Sequence, residues 1–226
     1  MSGPDRIPVF CALDTTDIGA ARRLAAAAAA AGCGIKLGKE FFAAHGPEGV
    51  RRVRPEGAAL FLDLKFHDIP NTVAGAVRAA IRSVRPDFLT IHAGGGGAMV
   101  QAAADAAAAA GAKRPHLLAV TVLTSLDAAD LAALGVAATV EAQALRLAKL
   151  AQAHGADGAV SAASEIAALR AACGREFLLV VPGIRPAGAD PGDQKRVMTP
   201  REALKLGADW LVVGRPITGA ADPSGA

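Results

Sequence analysis

Apolar and polar positions follow two alternating rhythms along this chain. Short runs rich in Val, Ile, Leu and Phe recur at 8–14, 34–38, 59–65, 88–93, 116–124, 158–161, 177–183 and 210–214. Alanine-rich stretches of helical character fill most of the gaps, as at 16–31, 71–84, 97–110, 139–154, 163–173 and 199–206. Eight strand-like runs separated by helices predict repeated βα units around a parallel sheet. In a chain of 226 residues, one domain spanning 1–226 is expected. A closed (β/α)8 TIM barrel then fits better than an open doubly wound sheet.

The third run breaks its own pattern. Phe61-Leu62-Asp63-Leu64-Lys65-Phe66-His67-Asp68-Ile69-Pro70-Asn71-Thr72 begins as an apolar strand and fills with charge where it ends. Alternate side chains of a strand share a face, so Asp63 and Lys65 point one way while Leu62, Leu64 and Phe66 point the other. Asp68 follows just past the strand, and Ile69-Pro70 halts the extended pattern before a helix begins near Asn71 and Thr72. A salt-bridged strand end is the bland account. An exposed pair gains little and a buried pair loses solvation, so stability is a poor reason for three charges there. Crowded charges of alternating sign point instead to a functional site.

Other strand ends carry similar residues. In a (β/α)8 barrel the active site lies at the C-terminal ends of the strands, so Asp14, Lys36, Asp63, Lys65, His92, Thr124, Ser161 and Arg215 face one mouth. Several have a helix-capping alternative: Asp14 for the helix beginning near Thr16, Thr124 or Ser125 for a short helix, and Ser161 likewise. The seventh connection, 184–198, is long, rich in Gly, Pro and Asp, and carries Arg185, Gln194, Lys195 and Arg196. With Gly214-Arg215-Pro216 after the eighth run, it places backbone amides and guanidinium groups at the phosphate corner usual for such barrels. A phosphorylated substrate is expected.

Charge and composition narrow the partners. The net charge is +3, and no Lys/Arg stripe with interleaved aromatics is present, so nucleic acid is not an expected partner. No run approaches the roughly 18 apolar residues of a membrane span. The start, Met1-Ser2-Gly3-Pro4-Asp5-Arg6, lacks a signal-peptide pattern, and a cytoplasmic location is expected. Cys11, Cys33 and Cys173 have no metal-ligand spacing and read as buried free thiols. The aspartates already face lysines, and no metal is expected.

Taken together, the motifs resemble the orotidine 5'-phosphate decarboxylase family over nearly the whole chain. The resemblance rests on Ala12-Leu13-Asp14, Lys36-Leu37-Gly38-Lys39-Glu40, Asp63 through Thr72, Val120-Thr121-Val122-Leu123-Thr124-Ser125, Pro182-Gly183-Ile184-Arg185, Asp193-Gln194 and Val213-Gly214-Arg215-Pro216-Ile217-Thr218. It implies loss of CO2 from orotidine 5'-phosphate to give UMP, without metal or organic cofactor. The catalytic array would be Lys36, Asp63, Lys65 and Asp68, with Lys65 stabilising and protonating the C6 carbanion. Asp14 and Lys36 would hold ribose hydroxyls, Thr124 or Ser125 the base, and Arg185, Gln194, Gly214 and Arg215 the phosphate end. Asp68, Ile69 and Thr72 would reach into a neighbouring subunit's site, implying a homodimer. The family ends in a further outer helix, whereas only Pro216 to Ala226 follows the eighth run here, so that helix is expected to be missing or truncated. Two other readings remain at this point: a magnesium-dependent sugar-phosphate enzyme of the same barrel group, which shares the Asp-x-Lys-x-x-Asp strand, and a non-catalytic nucleotide-binding barrel.

Overall fold

The structure, a computed structural model, describes residues 7–185 and 198–226. Its strands are β1 (Val9–Ala12), β2 (Gly34–Gly38), β3 (Leu60–Phe66), β4 (Phe88–His92), β5 (His116–Val120), β6 (Gly158–Val160), β7 (Leu178–Val181) and β8 (Trp210–Val213). All pair in parallel and in chain order, and β8 returns to β1 to close the barrel. The helices are α1 (Ile18–Ala30), α2 (Lys39–Val53), α3 (Pro70–Val84), α4 (Gly97–Ala108), α5 (Ala128–Ala133), α6 (Val140–Ala153), α7 (Ile166–Cys173), α8 (Pro200–Leu206) and α9 (Arg215–Thr218). The expected (β/α)8 barrel is therefore the fold observed.

The period of two along each strand sorts side chains into two layers. Phe10, Phe61, Phe88, Leu118, Val180 and Val212 turn inward and form one buried cluster with Trp210 beside it. Phe10 stacks on Trp210 with ring centroids 4.6 Å apart and meets Phe88 edge-on at 5.1 Å. The alternate residues Cys11, Ile35, Leu62, Leu89 and Leu117 turn outward and join a separate cluster under the helices. Gly34 has a packing reason. A Cβ there would stand 2.6 Å from the Phe10 ring, so only glycine lets β2 pass the aromatic plug.

Small residues let the helices lie close to the strands. On α1 the buried positions are Ala21, Ala25 and Ala28, spaced along one helical stripe. The short α9 carries Ile217, which packs against both outer clusters and so covers the seam between β1 and β8. Among the described residues α9 is the last helix.

Several strands stop earlier than their apolar pattern suggests. β5 ends at Val120 rather than near 124, and β7 ends at Val181 rather than near 183. Ladder pairing ceases where the chain splays outward, and the apolar or hydroxyl residues beyond it line a cavity instead of continuing the sheet.

Candidate active site

The aromatic plug fills the lower barrel, and the inward positions one step further along the strands build the floor and walls of a cavity above it. The relation is simple parity: Ala12 leads to Asp14, Gly34 to Lys36, Phe61 to Asp63, and Val212 to Gly214. All but Gly34 line a cavity of about 440 Å³ at the C-terminal mouth. Lys65, Thr124, Arg185 and Arg215 line it too.

The caps of the neighbouring helices are supplied by other residues. Asp17, not Asp14, accepts the Ala20 N–H at 2.9 Å at the start of α1. Asp127, not Thr124 or Ser125, caps α5. The Ser161 hydroxyl, buried in the cavity wall, has no hydrogen-bond partner among the described residues. Asp14, Thr124 and Ser161 are thus released from the structural duties that the sequence allowed them.

Asp63 is the hub of the charged wall. Its Oδ2 receives Lys65 Nζ at 2.7 Å and lies 3.9 Å from Lys36 Nζ, while Lys36 also reaches Asp14 Oδ1 at 3.3 Å. Burial would raise the Asp63 carboxyl, but the charges of Lys65 and Lys36 and hydrogen bonds from Lys65 and Thr90 hold it below its ordinary range. The order Asp14, Lys36, Asp63, Lys65 is therefore a continuous alternating row. Asp14 is its exposed end, whereas the Asp63 side chain retains 14% of its accessible surface.

The shared orientation of Asp63 and Lys65 holds, although the strand between them is not regular. Leu62 pairs with Leu89 and Phe66 with Ile91, so β3 carries extra residues opposite the single Thr90 of β4. Lys65 lies inside that bulge at φ +50°, a left-handed conformation rarely adopted by a residue with a side chain. Thr90 was not singled out in the sequence. It is fully buried, accepts the Lys65 backbone N–H at 2.8 Å and donates its hydroxyl to Asp63 Oδ1 at 2.9 Å. Its one sequence signal is a polar residue at the inward parity of an apolar strand, between Phe88 and His92.

Asp68, Ile69 and Thr72 stand apart from this cavity. All three are exposed beyond the tip of β3 and at the start of α3, and Ile69 retains 66% of its surface. Asp68 Oδ1 accepts the Ile69 N–H at 2.6 Å. Arg185 is buried, donates from Nη1 to the Ile184 carbonyl, and ties its own backbone N–H to Met198 across the base of the seventh connection. Gln194, Lys195 and Arg196 lie outside the described residues. His92 does not line the cavity but stacks on His67, with centroids 5.1 Å apart and planes 9° from parallel. Burial first, then the positive surroundings of His67, Lys39 and Lys65, lower the His92 pKa. Among the described residues no three His, Cys, Asp or Glu side chains group as metal ligands.

Fold and site together define a parallel (β/α)8 barrel that concentrates its polar chemistry at the C-terminal strand ends. The family model of "Orotidine 5'-phosphate decarboxylase / HUMPS family" matches residues 8–226. Over 222 residues the sequence is 55% identical to the orotidine 5'-phosphate decarboxylase of Rhodospirillum rubrum, covering 96% of this chain and 90% of that one. Over 228 residues it is 52% identical to that of Moorella thermoacetica, covering 99% and 89%. The crystal structure of orotidine 5'-phosphate decarboxylase from Lactobacillus acidophilus superposes with a TM-score of 0.86 at 37% identity, covering 98% of this chain and 95% of that one. The chain belongs to the orotidine 5'-phosphate decarboxylase / HUMPS family.

Proposed function

We propose that this protein converts orotidine 5'-phosphate to UMP and CO2, using its own side chains without a metal or organic cofactor. The observation that carries the reading is the largely buried Lys36–Asp63–Lys65 row on one wall of a cavity that Arg185 and Arg215 also line. Relatives of like length named for this activity, at 52–55% identity, support it over a sugar-phosphate enzyme of the same family.

The chemistry needs these residue types. When the bond from C6 to the carboxylate breaks, CO2 departs and the electron pair stays on C6, in an orbital that the ring delocalises poorly. Lys65 Nζ stabilises that charge as it forms and then gives C6 a proton, later regaining one from water. Asp63 holds the Lys65 ammonium in place, and its negative charge opposes a nearby substrate carboxylate. Asp14 and Lys36 hold ribose hydroxyls, and Thr124 or its neighbour Ser125 holds the base. Arg185, Arg215, the Gly214 backbone and Gln194 grip the phosphate, so binding energy remote from C6 is spent on the transition state.

A homodimer with shared sites completes this reading. Asp68, Ile69 and Thr72 are assigned to the partner's cavity, a role supported by their exposure away from the cavity of their own chain. A cytoplasmic location goes with the same assignment.

The decisive experiment follows the ultraviolet absorbance of orotidine 5'-phosphate with purified protein and a chelator. Loss of the substrate band with formation of UMP is expected; a flat trace from folded protein overturns the assignment. Mixing Lys65→Ala with Asp68→Ala subunits tests sharing, because one intact site per heterodimer should restore turnover. Failure of properly mixed dimers to regain activity removes the shared-site proposal.

A further inference from the structure

The bulge in β3 places Lys65 where a regular ladder would not. Between the pairs Leu62–Leu89 and Phe66–Ile91, three residues of β3 face the single Thr90 of β4. Such a bulge leaves backbone groups without ladder partners, and Lys65 adds a left-handed φ of +50° to the cost. Something other than the sheet must hold this backbone.

One hydroxyl does so from both sides. Thr90 Oγ1 accepts the Lys65 N–H at 2.8 Å, standing in for a missing ladder carbonyl. Its own proton goes to Asp63 Oδ1 at 2.9 Å, which leaves Oδ2 turned to Lys65 Nζ at 2.7 Å and to Lys36 Nζ at 3.9 Å. Thr90 is fully buried and does not line the cavity, so it has no route to a substrate. We propose that Thr90 is a positioning residue: its hydroxyl locks the bulge that presents Lys65 and fixes which oxygen of Asp63 faces the lysines. The inference rests on the reading that Lys65 and Asp63 carry the reaction.

This role requires a group that accepts from an amide and donates to a carboxylate at the same atom. Ser meets that need and Val, equal to Thr in shape, does not. The two substitutions therefore separate the hydroxyl from the methyl group. For Thr90→Val we expect kcat to fall roughly ten- to a hundredfold, as for lost hydrogen bonds to a charged group, with KM little changed. The acid limb of the kcat/KM profile should move to higher pH, because Asp63 loses a donor that favours its ionised form. Thr90→Ser should recover most of kcat and return the limb.

Wild-type kcat with an unmoved acid limb in Thr90→Val overturns the inference. So does a Thr90→Ser enzyme as impaired as the Val variant, since the methyl group would then be what matters. Should Thr90→Val fail to fold, Thr90→Ala against Thr90→Ser gives the same contrast at smaller volume. Lys65→Ala in the same assay separates the two levels of the argument. If it retains turnover, the assignment of Lys65 falls; if it is inactive while Thr90→Val matches wild type, only the role of Thr90 falls.

Discussion

The two rims of the barrel use charge in opposite ways. At the N-terminal rim an aspartate precedes each of three even strands and repeats one arrangement. Asp87, Asp157 and Asp209 accept the backbone N–H of Leu60, Leu117 and Leu179 on the preceding strand, each at 2.7 Å. Each also pairs with an arginine: Arg54 at 2.7 Å, Arg114 at 2.7 Å and Arg170 at 2.6 Å. The clasps join β3 to β4, β5 to β6 and β7 to β8. At the equivalent position before β2 stands Cys33, with no carboxylate to offer. At the C-terminal rim two lysines converge on one aspartate, beside an open cavity that Arg185 and Arg215 also line.

The choice of cation explains the difference. Arginine is a rigid fork that stays protonated and can satisfy several carbonyls at once. Arg170 does this, donating to the carbonyls of Gly174, Arg175, Phe177 and Gly207 as well as to Asp209. Lysine is a compact charge able to release a proton, and its amine reaches into the cavity from a movable stem. One rim spends its charges on closing the sheet, whereas the other keeps them available to a substrate.

The largest break in this comparison should come from the upper rim. Lys65→Ala is expected to lower kcat by more than about a thousandfold, since in the proposed mechanism it removes both an electrostatic stabiliser and the proton donor. The fold should survive. Far-ultraviolet circular dichroism and turnover, measured on one preparation, check both halves; a folded variant with near-normal kcat would end the division between rims.

The reverse outcome is expected at the lower rim. Arg170→Ala leaves Asp209 and four carbonyls short of a donor, and should lower stability by about 3 kcal/mol, the low end for breaking a largely buried pair. Turnover per folded molecule should stay as in the wild type, because Arg170 lies at the opposite end of the barrel from the cavity. Denaturant midpoints and kcat, taken where the variant is folded, decide it. A stable variant with lost activity would mean that the rims are coupled.

The row at the upper rim also contributes to stability, and pH separates that share. The folded pKa of Asp63 lies below its ordinary value of 3.8, net of a burial effect in the other direction. A depressed folded pKa stabilises the protein above the unfolded value, and that contribution drains as pH falls below about 4 through the folded pKa. The stability difference between wild type and Asp63→Asn should thus be largest near neutrality and shrink in acid. A difference that grows as pH falls would contradict the lysine-dominated environment.

Local patterns made one rim readable in advance and hid the other. The 34–38 strand and the Asp63–Lys65 face follow from alternation along a few residues, as does the collection of polar groups at strand ends. The clasps escape such reading, because Arg54 and Asp87, Arg114 and Asp157, and Arg170 and Asp209 lie 33, 43 and 39 positions apart and meet only when the barrel closes. Thr90 was hidden for a related reason: its two hydrogen bonds exist because β3 bulges, and a regular alternation predicts no bulge. The helix caps show the converse limit. Asp14 is a plausible cap on sequence, and only the path of the chain gives that duty to Asp17 and leaves Asp14 at the mouth.

The smallest effect should sharpen the lower rim rather than break it. Arg114 makes the same contact with Asp157 that Arg170 makes with Asp209, but among the described residues its side chain donates to no carbonyl, and it keeps 33% of its surface against 17% for Arg170. Water can replace it. In Arg114→Ala, Asp157 retains the Leu117 N–H, and the expected loss is about 1 kcal/mol, in the range of a partly exposed pair. That loss should diminish further at high salt, whereas the Arg170→Ala loss should change little, because hydrogen bonds to neutral carbonyls are screened far less than an ion pair. Equal losses in the two variants, with equal salt dependence, would show that the Asp–Arg pair alone sets the strength of a clasp and that the surrounding carbonyls contribute nothing.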